Sequence, residues 1–441
     1  MGAEVGQRRA SYGPTSPDLG TRGSKTVTAI LEAALTVFTR QGYHAATIAD
    51  IAAEVGLSRA ALYQYFESKA QIFVQLLEEC GAAVVEVTRQ LGTLGPTASG
   101  FANLRWWLAE WRRVYARYAV MFAEWTTIDA PDAPVSALVS SFNQRFSRHV
   151  ARRLEESGSS GNPLDTAIVL TGVVLRWNRL QRTRHTDCAD AQDEREYDFA
   201  VLTQLMLFPE TPPAATGADV PRRWRTRRVS RRLETTPVGR SWVRRDPLGG
   251  LTTRSAATVR ALLSSSAQTF AEGGFHGSSI DEIVSGAGYA RGTFYKYFAT
   301  KTEALEALAV SCTHESITAA RRLAQVEGPA DLIGWCRAII ALSAENRAVF
   351  NAWAERTPRT PSLDAMRADV VHELRRSLFL HLSGAERGHP IDLSCTTTFI
   401  VAVFDQIPAA FGLNRHPLDR EASAELVASL LGRAVFRWTN G

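Results

Sequence analysis

The chain has little cysteine: five residues in 441, odd in number, scattered, and never in a CxxC pair. That excludes a disulfide framework and a zinc site built on paired thiolates, and it fits a reducing compartment, the cytoplasm. Uncharged apolar runs of about 18 residues are missing as well, so no membrane-spanning helix is expected. Residues 1–24 are rich in Gly, Ser, Pro and Arg, lack the apolar segment of a secretory signal, and read as a flexible arm. Alternating strand patterns are scarce. No phosphate loop, nucleophile–base pair or metal-ligand spacing occurs, so an enzyme is not expected, nor a cofactor or metal.

What is present is length, apolar content and a concentrated positive charge. A chain of 441 residues with 45% hydrophobic residues is long enough for two domains or more. Its net charge of +5 is unevenly placed. Between Asp219 and Gly250 stand ten arginines against three acidic residues, a local +7 that leaves the remainder slightly acidic. A segment of this kind suits a polyanionic partner. It also suits a solvated tether, and six prolines between Pro209 and Pro247 oppose any long helix there, although a short one over 222–233 is compatible.

Self-similarity decides the organisation. With a shift of 232, Phe38, Gly42, His44, Ile48, Ile51, Gly56, Arg59, Tyr63, Tyr65, Phe66 and Lys69 fall without a gap on Phe270, Gly274, His276, Ile280, Ile283, Gly288, Arg291, Tyr295, Tyr297, Phe298 and Lys301. Further on the shift becomes 228, pairing Leu104 with Leu332, Trp107 with Trp335, Phe122 with Phe350 and Trp125 with Trp353. The chain is a duplication, with copies over roughly 25–208 and 251–441 joined by an Arg/Pro-rich linker, 209–250.

Within each copy the apolar spacing is helical, and the expected fold class is all-α. Ile30, Leu31, Ala34, Leu35 and Phe38 share one helix face that stops at Gly42. Thr47 is placed to cap a second helix with Asp50 three residues on. Gly56 supplies a tight turn, and a third helix is predicted over about 58–65. Three short helices with a glycine turn before the third form a helix-turn-helix, over 25–70 in the first copy and 251–302 in the second. On a helical wheel Arg59, Ala60, Tyr63 and Gln64 share an outward arc of about 140° while Leu62 points inward.

The run Thr47-x-x-x-Ile51-Ala52-x-x-x-Gly56-x-Ser58-Arg59-x-x-Leu62-Tyr63-x-Tyr65-Phe66-x-Ser68-Lys69, repeated from Ser279 to Lys301, resembles the signature of TetR-family transcriptional regulators. The tandem is similar to double-TetR fusions found in actinobacteria. The resemblance spans about 50 residues per copy. It implies two TetR-like units, each a helix-turn-helix head followed by a helical ligand-binding and interface domain, at 71–208 and 303–441. It further implies base contacts by Arg59, Ala60, Ala61 and Gln64, and in the second head by Arg291, Gly292, Thr293 and Lys296. Phosphate contacts are implied for Thr47, Tyr63, Tyr65 and Lys69, and for Ser279, Tyr295, Tyr297 and Lys301. Gln64 suits adenine and Lys296 suits guanine or a phosphate, so two unlike half-sites are expected. The second head departs from the pattern at Ala290, where a capping Ser or Thr is usual. Phe66 reads as core filling, Lys69 and Lys301 also fit a simple helix start, and His44 and His276 read as structural or weak phosphate partners.

The later helices are implied to form an effector pocket and an interface. The aromatics Trp107, Trp111, Phe122, Trp125, Phe146, Trp177, Trp335, Phe350 and Trp353 are the candidate lining for a hydrophobic small molecule, with ordinary core packing as the alternative. Helices near 163–182, 194–208, 391–413 and 418–438 match the family's dimerisation helices in place. A linker of about 40 residues spans roughly 35 Å as a coil, enough to let the two copies pair within one chain as a monomeric pseudo-dimer. The expected function is that of a ligand-responsive repressor on double-stranded DNA. An activator, and a ligand-binding or scaffold protein with only non-specific DNA affinity, remain open on the sequence.

Overall fold

The computed structural model describes residues 21–124, 133–182, 192–217, 249–355, 358, 360–383, 391–413 and 419–436. Among these the regular elements are all helical. The first copy comprises α1 (Thr21–Gln41), α2 (Ile48–Val55), α3 (Arg59–Leu62), α4 (Lys69–Arg89), α5 (Ala98–Glu124), α6 (Ala133–Glu156), α7 (Pro163–Arg182) and α8 (Gln192–Leu207). A single turn, α9 (Pro213–Thr216), follows. The second comprises α10 (Thr253–Gly277), α11 (Ile280–Ala287), α12 (Arg291–Tyr297), α13 (Lys301–Arg322), α14 (Pro329–Glu345), α15 (Arg347–Glu355), α16 (Pro361–Ser383), α17 (Leu393–Leu413) and α18 (Arg420–Leu431), ending in a π turn at Gly432–Phe436. No helix among the described residues is long and apolar enough to cross a membrane. No group of three His, Cys, Asp or Glu side chains there could hold a metal.

The duplication reaches the backbone. Helix α5 bends at Tyr118 (φ −106°, ψ 23°), and the second copy breaks between α14 and α15 at Asn346 (φ −107°, ψ 32°), its counterpart under the shift of 228. The starts of α7 and α17 are capped alike. Asn162 Oδ1 accepts from the Leu164 and Asp165 N–H groups, and Asp392 Oδ1 from those of Ser394 and Cys395.

The chain divides into two compact units, residues 1–90 with 110–142, and residues 91–109 with 143–441. In the first, Ile30, Ala34, Val37 and Phe38 of α1 pack with Ile51, Leu62, Phe66, Phe73 and Leu76, all essentially excluded from water. Burying such side chains stabilises the unit by about 1.5–3 kcal/mol each before chain entropy is counted. Helix α1 starts at Thr21, inside the range 1–24 read as an arm, and residues 1–20 of that range lie outside the described residues.

In the second unit, the head α10–α13 is built on Val259, Leu262, Phe270, Ile283, Phe294, Leu305 and Ala309. The same unit holds the last helices of both copies, and these pack on one another. Helix α7 lies along α17, and the C-terminal half of α8 is buried on every side, from Phe199 through Leu207. A helix of that kind must be covered on every face; α17, α18 and the π turn contribute to that cover. Trp177 and Phe199 stack with centroids 4.3 Å apart, and Phe399 of the second copy lies 6.1 Å from Phe199. The Asp392 N–H donates to Asp198 Oδ2 at 3.2 Å and Arg433 Nη1 to the Ser160 carbonyl at 2.9 Å, both from one copy to the other.

The aromatics read as candidate pocket lining are placed as follows. Trp177 lies in this inter-copy packing, its ring stacked on Phe199. Trp335 is likewise core: its Nε1–H donates to the Ala319 carbonyl at 2.9 Å and its ring meets Phe404 edge-on. Trp107, Trp111, Phe146 and Trp353 are buried, and Phe122 and Phe350 are half-buried. Phe122 stacks on Tyr115 at 5.2 Å, and Phe350 meets Trp353 at 5.6 Å. Trp353 Nε1 is buried with no hydrogen-bond partner among the described residues. Residues 209–217, read as the start of the tether, are packed: Gln204 Nε2 donates to Thr211 Oγ1 at 2.9 Å and the Tyr197 hydroxyl to the Thr216 carbonyl. The arginine cluster over 222–245, the short helix over 222–233 and Trp125 lie outside the described residues.

Candidate nucleic-acid interface

Each head is assembled from its caps. Thr47 stands in extended backbone before α2, where its hydroxyl oxygen accepts from the Asp50 N–H at 3.2 Å while Asp50 Oδ2 accepts the Thr47 N–H at 2.9 Å. Ser279 and Glu282 repeat this reciprocal cap before α11. Both carboxylates sit below their ordinary pKa, Asp50 first through the Thr47 hydroxyl and Glu282 first through the Ser279 N–H. Gly56 (φ 74°) and Gly288 (φ 72°) then turn the chain through left-handed conformations that a side chain disfavours.

The third helix of the first head is one turn, Arg59–Leu62, shorter than the 58–65 expected, with Tyr63 and Gln64 on the turn that follows, while that of the second head runs Arg291–Tyr297. Leu62 and Phe66 point into the first core, as Phe294 and Phe298 do in the second. With those anchored, Arg59, Ala60 and Gln64 are exposed, as are Arg291, Gly292 and Lys296; Ala61 and Thr293 are half-buried. Tyr63 and Tyr295 keep 50% and 47% of their surface, large for rings beside a core and suited to reaching a partner. Tyr65 and Tyr297 are half-buried against their respective cores.

The lysines of both heads are engaged within the head. Lys69 Nζ donates to the carbonyls of Tyr43 at 2.7 Å and Ala46 at 2.8 Å, with His44 at 3.4 Å. Lys301 Nζ does the same with Phe275 at 2.7 Å, Ser278 at 2.8 Å and His276 at 3.3 Å. Each ammonium also lies over an aromatic ring, Tyr43 at 4.4 Å and Phe275 at 4.7 Å. An ammonium has three donors, and here all three are directed at the loop before the second helix. Burial depresses the Lys301 pKa, as expected for a partly desolvated ammonium. In this structure these lysines staple the loop before the second helix.

The Thr47 hydroxyl is similarly engaged, donating to Asp50 Oδ2 at 2.7 Å, and that of Ser279 lies 3.0 Å from Glu282 Oε2. What remains for a phosphate at this point are the first N–H groups of α2 and α11, which no helix can satisfy internally. The rings of His44 and His276 stand edge-on to Tyr43 and Phe275, a structural placement.

Comparison with known proteins agrees with the geometry. The family described as bacterial regulatory proteins, tetR family, matches twice, over residues 30–76 and 262–308. Both heads are TetR-family N-terminal domains. Among curated relatives, the uncharacterised HTH-type transcriptional regulator YfiR of Bacillus subtilis is 45% identical over 49 residues, 11% of this chain and 24% of its own length. The biofilm operon icaADBC HTH-type negative transcriptional regulator IcaR of Staphylococcus aureus is 39% identical over 51 residues, 12% of this chain and 27% of its own. The match thus spans about a quarter of the length of these relatives.

The two TetR heads are not equivalent. Ser58 caps the first reading helix by accepting the Ala61 N–H at 3.1 Å, whereas Ala290 offers no side-chain cap. In the second head Arg291 Nη1 is bonded to Asp281 Oδ2 at 3.0 Å and Oδ1 at 3.2 Å, and Nη2 lies 3.4 Å from the Tyr295 hydroxyl. The Tyr295 contact, and then the Asp281 charge, push the Arg291 pKa up. The first head has Ala49 at the position of Asp281. Sequence reading missed this pair, although the aligned copies already show an acid in one and an alanine in the other. It missed Glu373 as well, buried on α16 with Arg321 and Arg376 each at 3.3 Å. The signal was there too, since Glu373 falls at helical spacing from the apolar Met366 and Val370.

Proposed function

We propose that the protein is a sequence-specific DNA-binding transcriptional regulator, a repressor, that engages an asymmetric operator through two unlike heads. The observation that carries this reading is the repeated exposed arc, Arg59, Ala60, Tyr63 and Gln64 matched by Arg291, Gly292, Tyr295 and Lys296, carried in the first head by a one-turn helix and the turn after it and in the second by α12, each held from beneath by buried apolar side chains. A helix of this size fits the major groove of B-form DNA, where each base pair shows a distinct edge. Tyr63 and Tyr295, with the free N–H groups that begin α2 and α11, position the helix on phosphates. Arg59, Ala60, Ala61 and Gln64 read one half-site; Arg291, Gly292, Thr293 and Lys296 read the other. Repression is favoured because one relative, matched over 51 residues, is named a negative transcriptional regulator.

The packing of α7 and α8 on α17 and α18 supports a monomer that acts as a pseudo-dimer, with half-sites about one helical turn apart. A hydrophobic effector binding among the later helices would shift the balance between arrangements of the heads. Competition binding on the DNA upstream of the protein's own gene tests the reading. Retention of the complex in excess random duplex is expected; equal affinity for both would overturn it.

A further inference from the structure

Asp281 is an acid on the face that the second head turns toward a polyanion, and its placement needs a reason. It occupies the first turn of α11, but the cap of that helix is made by Ser279 and Glu282 without it. Its carboxylate is 66% exposed and both oxygens are bonded to the same nitrogen of Arg291, at 3.0 and 3.2 Å. The other side of the guanidinium is met by Tyr295, whose hydroxyl is 3.4 Å from Nη2 and whose ring centroid is 5.8 Å from Cζ. An exposed ion pair adds little to stability in water. Its effect here is to fix the direction of a long, otherwise mobile side chain at the N-terminus of the reading helix.

We propose that Asp281 is the specificity-setting residue of the second head, a positioning residue that holds Arg291 for a base edge and withholds it from phosphates. The inference rests on the DNA-binding reading above. A guanidinium free to swing meets the phosphate chain of any sequence, since that attraction carries no sequence information. Anchored through Nη1, Arg291 keeps its remaining N–H donors in a fixed plane, the requirement for paired acceptors such as guanine O6 and N7. The carboxylate also repels phosphate, which lowers affinity for every wrong site. The first head has Ala49 in this place, so Arg59 lacks the same restraint and that head contributes affinity less selectively.

The test uses the full chain, an operator selected from random duplexes, versions of it with either half-site scrambled, and a random duplex. For D281A the expected result is several-fold tighter binding to random duplex and a salt dependence steeper by about 0.9, one more phosphate contact. Discrimination at one half-site, that of the second head, should fall about tenfold, the scale of one well-oriented base contact, with the other half-site unaffected. R291A should lose the same discrimination, and adding D281A to R291A should cost nothing more, because the two act as a unit. The reciprocal A49D should weaken binding to random duplex. If D281A tightens binding to operator and random duplex by the same factor, or if D281A and R291A losses add, Asp281 is only a repulsive charge and the proposal fails. Absence of any operator preference in the unaltered protein would instead overturn the regulatory reading, and this inference with it.

Discussion

Replacing Lys301 by methionine separates two roles that the sequence left joined. The side chain keeps its apolar stem but loses the ammonium that binds the carbonyls of Phe275 and Ser278 at 2.7 and 2.8 Å. Hydrogen bonds to a charged donor contribute about 1.5–3 kcal/mol each when well shielded. This site is half-buried, and the freed carbonyls regain water, so the two together are worth about 2 kcal/mol. The bond to His276 at 3.3 Å is too long to add much. Urea unfolding should therefore show the second head destabilised by about 2 kcal/mol, and Lys69→Met should do likewise in the first. The salt dependence of DNA binding, measured where the variants are fully folded, should not change. A phosphate-contacting lysine gives the opposite pair of results: unaltered stability and a salt slope shallower by about 0.9. That outcome would refute the staple.

Ala290→Ser should install the cap that Ser58 supplies in the first head and raise the stability of the second by about 1 kcal/mol, read as a higher urea midpoint; no change would mean that α12 is held by Phe294 and Phe298 alone. Burial pushes the Cys80 and Cys312 thiols to about 12, and Cys336 upward as well. All three should stay unmodified by a thiol reagent at pH 8 until the chain is unfolded, as peptide mapping would show. His372 and His381 on α16 have pKa values lowered chiefly by burial. The unfolded chain then binds protons more readily, so stability contributed by the neutral rings is full above pH ~6.5 and falls as the pH drops below it. Unfolding midpoints followed from pH 8 to 5 should decline, and His372→Asn should flatten the decline.

The heads were legible because their logic is local. A capping residue with an acid three positions on, a glycine turn and an apolar stripe are set by neighbours in the chain, so α2, α3, α11 and α12 could be placed before any contact was known. The pairing of α7 with α17 was legible only because the duplication allowed one copy to stand in for a partner. The sequence did not show where side chains go once elements meet. Lys69 and Lys301 look like phosphate contacts because they are basic and near the reading helix, yet the carbonyls they bind lie 23–26 residues away. Trp177 and Trp335 look like pocket lining because they are aromatic, and long-range packing claims both. The partner of Asp281 was hidden for the converse reason: the copies differ visibly at this position, but an acid in a first helical turn suits the helix dipole, and only the folded loop brings Arg291 against it.

The central claim is that two unlike reading helices dock on base pairs, and selection of bound sequences from a fully random duplex pool by the purified full chain tests it most directly. The predicted result is enrichment of one composite site with two dissimilar halves about one helical turn apart, each half lost separately when Arg59 or Arg291 is replaced by alanine. A pool that shows no enrichment after repeated rounds, or that converges on a perfect palindrome, would contradict the account.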